Sequence, residues 1–322
     1  WRAPARRPPS WAAGGAPLGR SLFHEARAVA IRSENERLVR TVLMNSHLGL
    51  AHPDDLGLRW HAAQTLAEYD DVEARWEAAF LHFNLALVAA DRELFDESVA
   101  RLRELTPLVR RRSRGRSLLQ IDAVDSFVRG DLDAAEQFAN LSLEAISSGY
   151  SESWSLAIYA ALLIPIRQSQ GRLAELWPFV EDRMRAQPTF TSWHALGAAM
   201  ADARGDRATA CELLGVLRER KLDLVEDTTY TAIATMLAVP VWRAGGVELA
   251  DVLRDRLSPY AGQMTWNGLS THGPVDAGLA LLCDVLGRPD AVVAHTTVAR
   301  QLVERLGAPH LWWPELDELR GR

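Results

Sequence analysis

The chain has 322 residues, 48% of them hydrophobic and 24% charged, which is typical of a globular protein long enough to bury a large core. Its formal net charge of −6 argues against the general attraction to nucleic acid that a basic protein has. No apolar run reaches the roughly 18 residues of a membrane span, and no signal-peptide pattern is present. Both cysteines lie in helical apolar patterns typical of buried free thiols. We expect a cytoplasmic protein with no direct contact to membrane or nucleic acid.

Helical periodicity begins after a short leader. Residues 1–17 are rich in Pro, Gly, Ala and Arg and have no periodicity, so we predict a flexible leader or linker within a longer protein. Residues 18–322 are expected to form a single helical-repeat domain. Apolar spacing, a proline stop at His52-Pro53 and acidic N-caps at Asp54-Asp55 and Asp70-Asp71 predict the first helices. These helices are 18–31, 35–50, 56–69 and 72–90.

A recurring motif organises the rest of the chain: a glycine, then usually Asp or Arg, opens an amphipathic helix. Arg92 is assigned the same place in the first repeat. Successive anchors lie 38, 41, 34, 41 and 41 residues apart, a period typical of helical-hairpin solenoids. The sequence therefore predicts an all-α fold, an α-α superhelix in the form of a tetratricopeptide-like solenoid of helix hairpins. The glycines of the motif are Gly130, Gly171, Gly205, Gly246 and Gly287.

Each repeat is expected to contain an inner A helix, a turn whose glycine has positive φ, and an outer B helix capped by the next residue. After a B helix at 93–111, the A helices are predicted at 116–129, 151–169, 190–204, 228–244 and 274–286. Their B helices are predicted at 131–148, 172–186, 206–220, 247–258 and 289–306. The segment from Leu311 onward is expected to cap the last hydrophobic face.

Short motifs in the middle and C-terminal thirds carry a family resemblance. They are GRLAEL (171–176), ADARGD (201–206), LSPYAG (257–262), GPVD (273–276), LGR (286–288) and ERLGA (304–308). With them, residues 50–316 resemble the C-terminal tetratricopeptide-like (MalT-like) helical region of actinobacterial regulators, in which an ATPase module of the AAA/STAND type comes first. Some of these regulators carry a LuxR-type DNA-binding helix-turn-helix, and others a class III adenylate or guanylate cyclase domain.

The resemblance implies a non-catalytic regulatory or sensor region without a cofactor. The sequence contains no Walker A motif, no cyclase metal-carboxylate motif and no separate helix-turn-helix, so the ATPase and output modules are not in this chain. The expected partners are those attached domains, together with a partner protein or a small-molecule effector bound in the concave groove. The alternative is a standalone tetratricopeptide-like adaptor that captures a peptide.

Two sets of residues are candidate binding sites. Alignment on the turn glycine places one polar residue from each A helix on or near the concave face. These residues are His82, Gln120, Gln168, Asp202, Arg243 and Asp284. A second set could bind anions or an acidic partner, because guanidinium groups suit phosphates and carboxylates. A solvated loop near a helix C-terminus is the simpler interpretation, since no aromatic residue lies between the arginines. This set is Arg110, Arg111, Arg112, Arg114 and Arg116.

The sequence gives weak support for catalysis. Asp70 and Asp71, followed by Glu73, resemble part of the DDxxD metal motif of all-α isoprenoid synthases, but helix capping explains them and no second metal motif follows. None of the nine histidines forms an H-E-x-x-H pair, and no G-x-S-x-G elbow is present. We therefore expect neither a metal site nor an enzyme, and an isoprenoid-type enzyme is the least favoured alternative.

Overall fold

The computed structural model describes residues 16–110, 112–147 and 152–319, and within them the regular structure is helical, without a strand. This confirms the all-α prediction. Most of the predicted leader, and the chain end after residue 319, lie outside the described residues. The α-helices are α1 (Ala16–Arg32), α2 (Glu36–Leu43), α3 (Ser46–Gly49), α4 (Leu56–Ala67), α5 (Val72–Ala89), α6 (Arg92–Leu105), α7 (Arg112–Val128), α8 (Leu132–Ser147), α9 (Glu152–Ser169), α10 (Trp177–Ala186), α11 (Thr191–Ala203), α12 (Arg207–Glu219), α13 (Tyr230–Met236), α14 (Ala238–Ala244), α15 (Val247–Leu257), α16 (Val275–Val285), α17 (Pro289–Leu306) and α18 (Glu315–Leu319).

Consecutive helices pack as hairpins, among them α5 with α6, α7 with α8, α11 with α12 and α16 with α17. The residue that ends each A helix has the left-handed conformation, and the next residue often caps the B helix. Asp131 and Asp206, for example, accept hydrogen bonds from the backbone N–H groups of Ala134 and Thr209. The left-handed residues are Ala90, Gly130, Gly171, Gly205, Gly245 and Gly287.

This turn geometry corrects the predicted register at two repeats. Gly245 is left-handed, with φ of 69°, whereas Gly246 has φ of −79° and is the N-cap of α15. In the first repeat the left-handed residue is Ala90, and Arg92 already lies inside α6. Gly-Gly and Ala-Asp replace the usual Gly-Asp or Gly-Arg at these turns, so the motif alone points to the wrong residue.

Several predicted helices end earlier or divide. The helix predicted at 35–50 divides into α2 and α3, where the Asn45 side chain donates to the Thr41 carbonyl and competes with the backbone. The helix predicted at 93–111 ends at Leu105. The helix predicted at 228–244 divides at Leu237, because Pro240 has no N–H to continue the ladder.

The structure confirms the predicted acidic N-cap at Asp71 but not the one at Asp55. The carboxylate of Asp71 accepts a hydrogen bond of 2.9 Å from the Ala74 backbone N–H, which confirms the cap of α5. Asp55 makes no side-chain cap at α4; it is buried and forms an ion pair of 2.7 Å with Arg20. The first turn before α4 is held instead by the His52 ring, which accepts from the backbone N–H of Asp54.

The last hairpin contacts the first one. In α6, the Arg92 guanidinium donates to the Leu306 carbonyl over 3.2 Å, and in α17 the Arg305 guanidinium donates to the Ala90 carbonyl over 3.3 Å. One hydrophobic cluster contains Phe83 and Phe95 of the first hairpin together with Leu302 of the last. The two ends of the repeat array are therefore joined through a common core.

The segment between α15 and α16, residues 258–274, crosses the interior of the molecule. Its Met264 backbone N–H donates to the Val88 carbonyl of α5 over 2.9 Å. The Asn267 amide donates to the Ala161 carbonyl of α9 over 2.7 Å. We call residues 258–274 the crossing segment. It covers inner faces of A helices that the sequence predicted to line the concave groove.

Two further predictions concern the burial of the cysteines and the absence of a membrane-spanning helix. Cys283 is buried as expected, but Cys211 is exposed. In the described part of the chain, every helix is too short or too polar to cross a membrane.

Candidate functional site

Three of the six predicted groove residues line one cavity of about 340 Å³: Gln168 at the end of α9, Asp202 near the end of α11, and Arg243 near the end of α14. Another wall comes from residues 310–315, which follow α17 and include the first residue of α18. We call these residues the C-terminal segment. That wall consists of His310, Leu311, Trp312, Trp313, Pro314 and Glu315.

An ion-paired cluster lies at one side of the cavity. The Arg243 guanidinium donates to the Asp202 carboxylate over 2.5 Å and to the Glu315 carboxylate over 3.0 Å. The side chains of Asp202 and Glu315 are 5% and 16% exposed. Burial raises the pKa of Glu315. One cation therefore links the repeats to α18 and faces two carboxylates.

A neutral histidine fixes the floor of the cavity. His272 of the crossing segment is buried, and burial lowers its pKa to about 3. Its Nδ1 lies 3.1 Å from Oε1 of Gln168, and its Nε2 lies 3.1 Å from Nδ2 of Asn267. The Asn267 amide is a donor, so Nε2 accepts and the single proton belongs on Nδ1, from which it is donated to Gln168. The predicted contact residue Gln168 is thus held by the crossing segment.

The C-terminal segment fits closely against the crossing segment. The indole N–H of Trp313 donates to the His272 carbonyl over 2.9 Å. A Cβ atom on Gly273, whose φ is 108°, would lie 2.9 Å from that indole nitrogen and 3.0 Å from the Leu311 carbonyl oxygen. Glycine is therefore required there by space and by backbone conformation.

His310 lines the cavity and has a buried ring nitrogen without a hydrogen-bond partner among the described residues. Its ring packs edge-on against Phe127, and a hydrogen bond joins it to the Phe127 carbonyl. Nε2 is buried and has no hydrogen-bond partner among the described residues, so Nδ1 makes the bond to Phe127. Burial lowers the pKa of His310 and favours the neutral ring. With its proton on Nδ1, the ring leaves Nε2 as an unsatisfied acceptor.

The other three predicted groove residues lie elsewhere. Asp284 accepts a hydrogen bond of 2.8 Å from the Trp242 indole, beside a neighbouring pocket that Trp242 and Arg243 help to line. His82 packs edge-on against Trp60, with ring centroids 5.3 Å apart. Gln120 is buried on α7. Neither His82 nor Gln120 lines the cavity.

The position relative to the left-handed turn residue accounts for His82 and Gln120, which lie outside the common row, but not for Arg243 and Asp284. The position three residues before the left-handed turn residue forms a row along the A helices, and His82 and Gln120 are eight and ten residues before theirs. The row contains Leu87, Phe127, Gln168, Asp202, Trp242 and Asp284. Phe127 and Trp242 could have been found from the correct turn residues. His272 and His310 carry no repeat signal, because they lie outside the hairpins.

The predicted arginine cluster spans residues 110–116, from the end of the segment after α6 into α7. Arg110 is exposed, and its backbone N–H donates to the Glu73 carboxylate over 2.8 Å. Arg111 lies outside the described residues, as do the side chains of Arg112, Arg114 and Arg116. The backbone of these last three residues is in α7, so they lie at a helix N-terminus and not in a loop after a helix. The cluster as an anion site stays a prediction.

The carboxylates proposed for metal binding are used in other ways. Asp71 caps α5 and also forms an ion pair of 3.2 Å with Arg40. Asp70 is fully exposed and lies 3.4 Å from the Arg75 guanidinium. In the parts of the chain that the structure describes, no group of three or more His, Cys, Asp or Glu side chains could hold a metal ion.

Comparison with known proteins adds no assignment. No protein family model matches the chain, and no curated protein matches it.

Proposed function

We propose that this chain is a non-catalytic regulatory domain of the tetratricopeptide-like superhelical type that binds a small effector in the cavity between its A helices and its C-terminal segment. The binding is passed to the attached ATPase and output domains of a longer, cytoplasmic regulator. This proposal combines the family resemblance of residues 50–316 with the chemistry of the cavity.

The observation that carries the proposal is the convergence of Gln168, Asp202 and Arg243, from three different repeats, on one cavity. Its volume of about 340 Å³ lies in the range of small-molecule sites. A peptide needs a long open groove, and the crossing segment already occupies the inner faces of α5 and α9. A small effector is therefore favoured over a partner peptide.

Binding at this place can be coupled to a change in shape. The cavity is bounded by α9, α11, α14 and the C-terminal segment, so a ligand there stabilises one arrangement of these elements over others. A small rotation of these elements relative to one another changes the surface offered to an attached domain. The ligand's differential affinity for the two arrangements sets the size of the effect.

Thermal stability tests the effector site. We expect the small-molecule fraction of an extract from the source organism to raise the melting temperature of the wild-type chain, because a ligand that binds only the native state stabilises it. Asp202→Ala should abolish this increase. Asp251→Ala, an acidic residue on α15 outside the cavity, is the matched control and should keep it. Equal increases for both variants would contradict an effector site in the cavity.

The size of the native protein tests the regulatory assignment. We expect an antibody raised against this chain to detect, in lysate of the source organism, a band of roughly twice 35.7 kDa or more, since further domains add typical domain masses. A band near 35.7 kDa would instead favour the standalone adaptor.

A further inference from the structure

We propose that the effector is a small organic amine, bound as its ammonium ion, with N–H groups that reach the His310 imidazole and the carboxylates of Asp202 and Glu315. This inference rests on the proposed function only in taking the cavity as the effector site. It names the chemical class that the cavity recognises.

The first reason is an imbalance of charge. The charged side chains that line the cavity are Asp202, Glu315 and Arg243, which are two carboxylates against one guanidinium. The two lining histidines, His272 and His310, are kept neutral by burial. The adjoining pocket, which Arg243 also lines, adds one further cation, Arg207, and one further carboxylate, Glu318, so the excess of one negative charge is unchanged. A ligand with one positive charge completes the pairing, whereas an anion would face a surplus of negative charge at short range.

The second reason is the unsatisfied acceptor on His310. A buried acceptor without a partner lowers the stability of the native protein, and a ligand that donates to it removes this cost. An ammonium group of a primary or secondary amine carries the N–H donors this needs, and a quaternary ammonium does not. His310 Nε2 therefore favours an ammonium ion that carries N–H groups over a quaternary ammonium ion of the same charge.

The third reason is the apolar part of the lining. Leu311, Trp312 and Trp313 contribute carbon surface on the C-terminal side, and Met236 and Val239 contribute it from the helices. The guanidinium carbon of Arg300 lies 4.4 Å from the centre of the Trp312 ring. The carboxylates thus bind the ligand's charge, and the indoles bind its hydrocarbon part.

Calorimetric titration with three matched probes tests the inference on the full chain. The probes are phenethylamine, its neutral analogue 2-phenylethanol, and its quaternary analogue phenethyltrimethylammonium. We expect phenethylamine to bind at least tenfold more tightly than either analogue, since only the amine offers both charge and N–H donors. Equal affinity for the alcohol would overturn the role of charge, and equal affinity for the quaternary ion would overturn the donor to His310.

Variants locate the effect. Glu315→Gln should weaken binding of phenethylamine about tenfold while 2-phenylethanol is unaffected, and His310→Phe should remove the preference for phenethylamine over its quaternary analogue. Glu304→Gln makes the same charge change at an exposed position of α17 and should leave all three affinities unchanged. If a cavity variant fails to fold, the ranking of the three probes on the wild-type chain still decides the question.

The outcomes also separate this inference from the proposed function. Stabilisation by the cell extract, lost in Asp202→Ala, together with no binding of phenethylamine, would overturn the amine and leave the effector site. Absence of both effects would overturn both proposals.

Discussion

The guanidinium carbon of Arg59 lies 3.8 Å from the centre of the Trp266 ring and joins α4 to the crossing segment. Arg59 is 2% exposed, and its Nε donates to the Leu50 carbonyl over 2.5 Å. Burial lowers the pKa of Arg59 to about 9, although the nearby Asp55 acts in the opposite direction. On its edge, the same indole donates from Nε1 to Oδ1 of Asn84 over 3.2 Å. Trp266 thus anchors the crossing segment to two separate helices.

Replacement of this anchor should strongly destabilise the fold. We expect Trp266→Ala to lower the free energy of unfolding by about 3–5 kcal/mol, because it leaves a cavity and removes the partners of Arg59 and Asn84. Urea denaturation followed by far-UV circular dichroism measures the change. Trp60→Ala is the matched control: Trp60 is 41% exposed, and its loss should cost less than about 1 kcal/mol. Similar losses for the two variants would show that the crossing segment is not held by Trp266.

Acid should destabilise the protein through His272. Its native pKa of about 3 lies below the ordinary value of 6.5, so the unfolded state binds the proton more readily. Its contribution to stability is complete above pH 6.5 and falls by about 1.4 kcal/mol per pH unit as the pH drops toward 3. Denaturation at pH 7, 5.5 and 4 measures this slope.

The variant His272→Asn cannot take up this proton. We expect it to be less stable than wild type at pH 7, since it loses ring contacts, but to have a shallower decline between pH 6.5 and 4. An unchanged slope in the variant would show that other groups, not His272, cause the acid sensitivity.

Two glycines should respond oppositely to the same substitution. Gly205 has φ of 78°, which costs a residue with a Cβ atom about 1–2 kcal/mol, so Gly205→Ala should destabilise by that amount. Gly215 lies inside α12 with open space around the position of a Cβ atom, and Gly215→Ala should stabilise by about 0.5–1 kcal/mol. Melting temperatures of both variants test the turn assignment. A stabilising Gly205→Ala would contradict the left-handed turn.

Alkaline pH should weaken the last hairpin through His295. The Asp276 carboxylate lies 2.7 Å from His295 Nδ1 and, with a hydrogen bond that the ring donates to the Cys283 sulfur, raises the pKa of His295 to about 9. A raised pKa means that the native state binds the proton more tightly, so this stabilisation is complete below pH 6.5 and is lost as the pH rises through 9.

Denaturation of wild type and His295→Gln at pH 6 and pH 9.5 measures this effect. The difference between the two proteins should shrink at the higher pH. The control His61→Gln changes an exposed histidine on α4. A difference that is constant with pH would show that His295 is not charged in the native protein at pH 6.

The amino-acid sequence by itself determined the helices and most of their turns, because these depend on neighbours in the chain. Apolar spacing located α5, α9, α11 and α17 within a few residues, and Gly-Asp pairs marked turns such as Gly205-Asp206. It also selected Gln168 and Asp202 as members of one site, since both lie three residues before a left-handed turn glycine and such equivalent positions lie on one face. Arg243 was selected only because Gly246 was taken as the turn residue in place of Gly245.

Only the tertiary structure decided what faces those residues. The crossing segment and the stretch from His310 to Glu315 have no helical period, and their partners lie far away in sequence. The approach of Trp313 to His272 depends on the packing of whole hairpins. Local periodicity reports which face of a helix is buried, but it contains no information on the distant segment that covers it. The cavity and its unpaired acceptor on His310 could therefore not be predicted from the sequence.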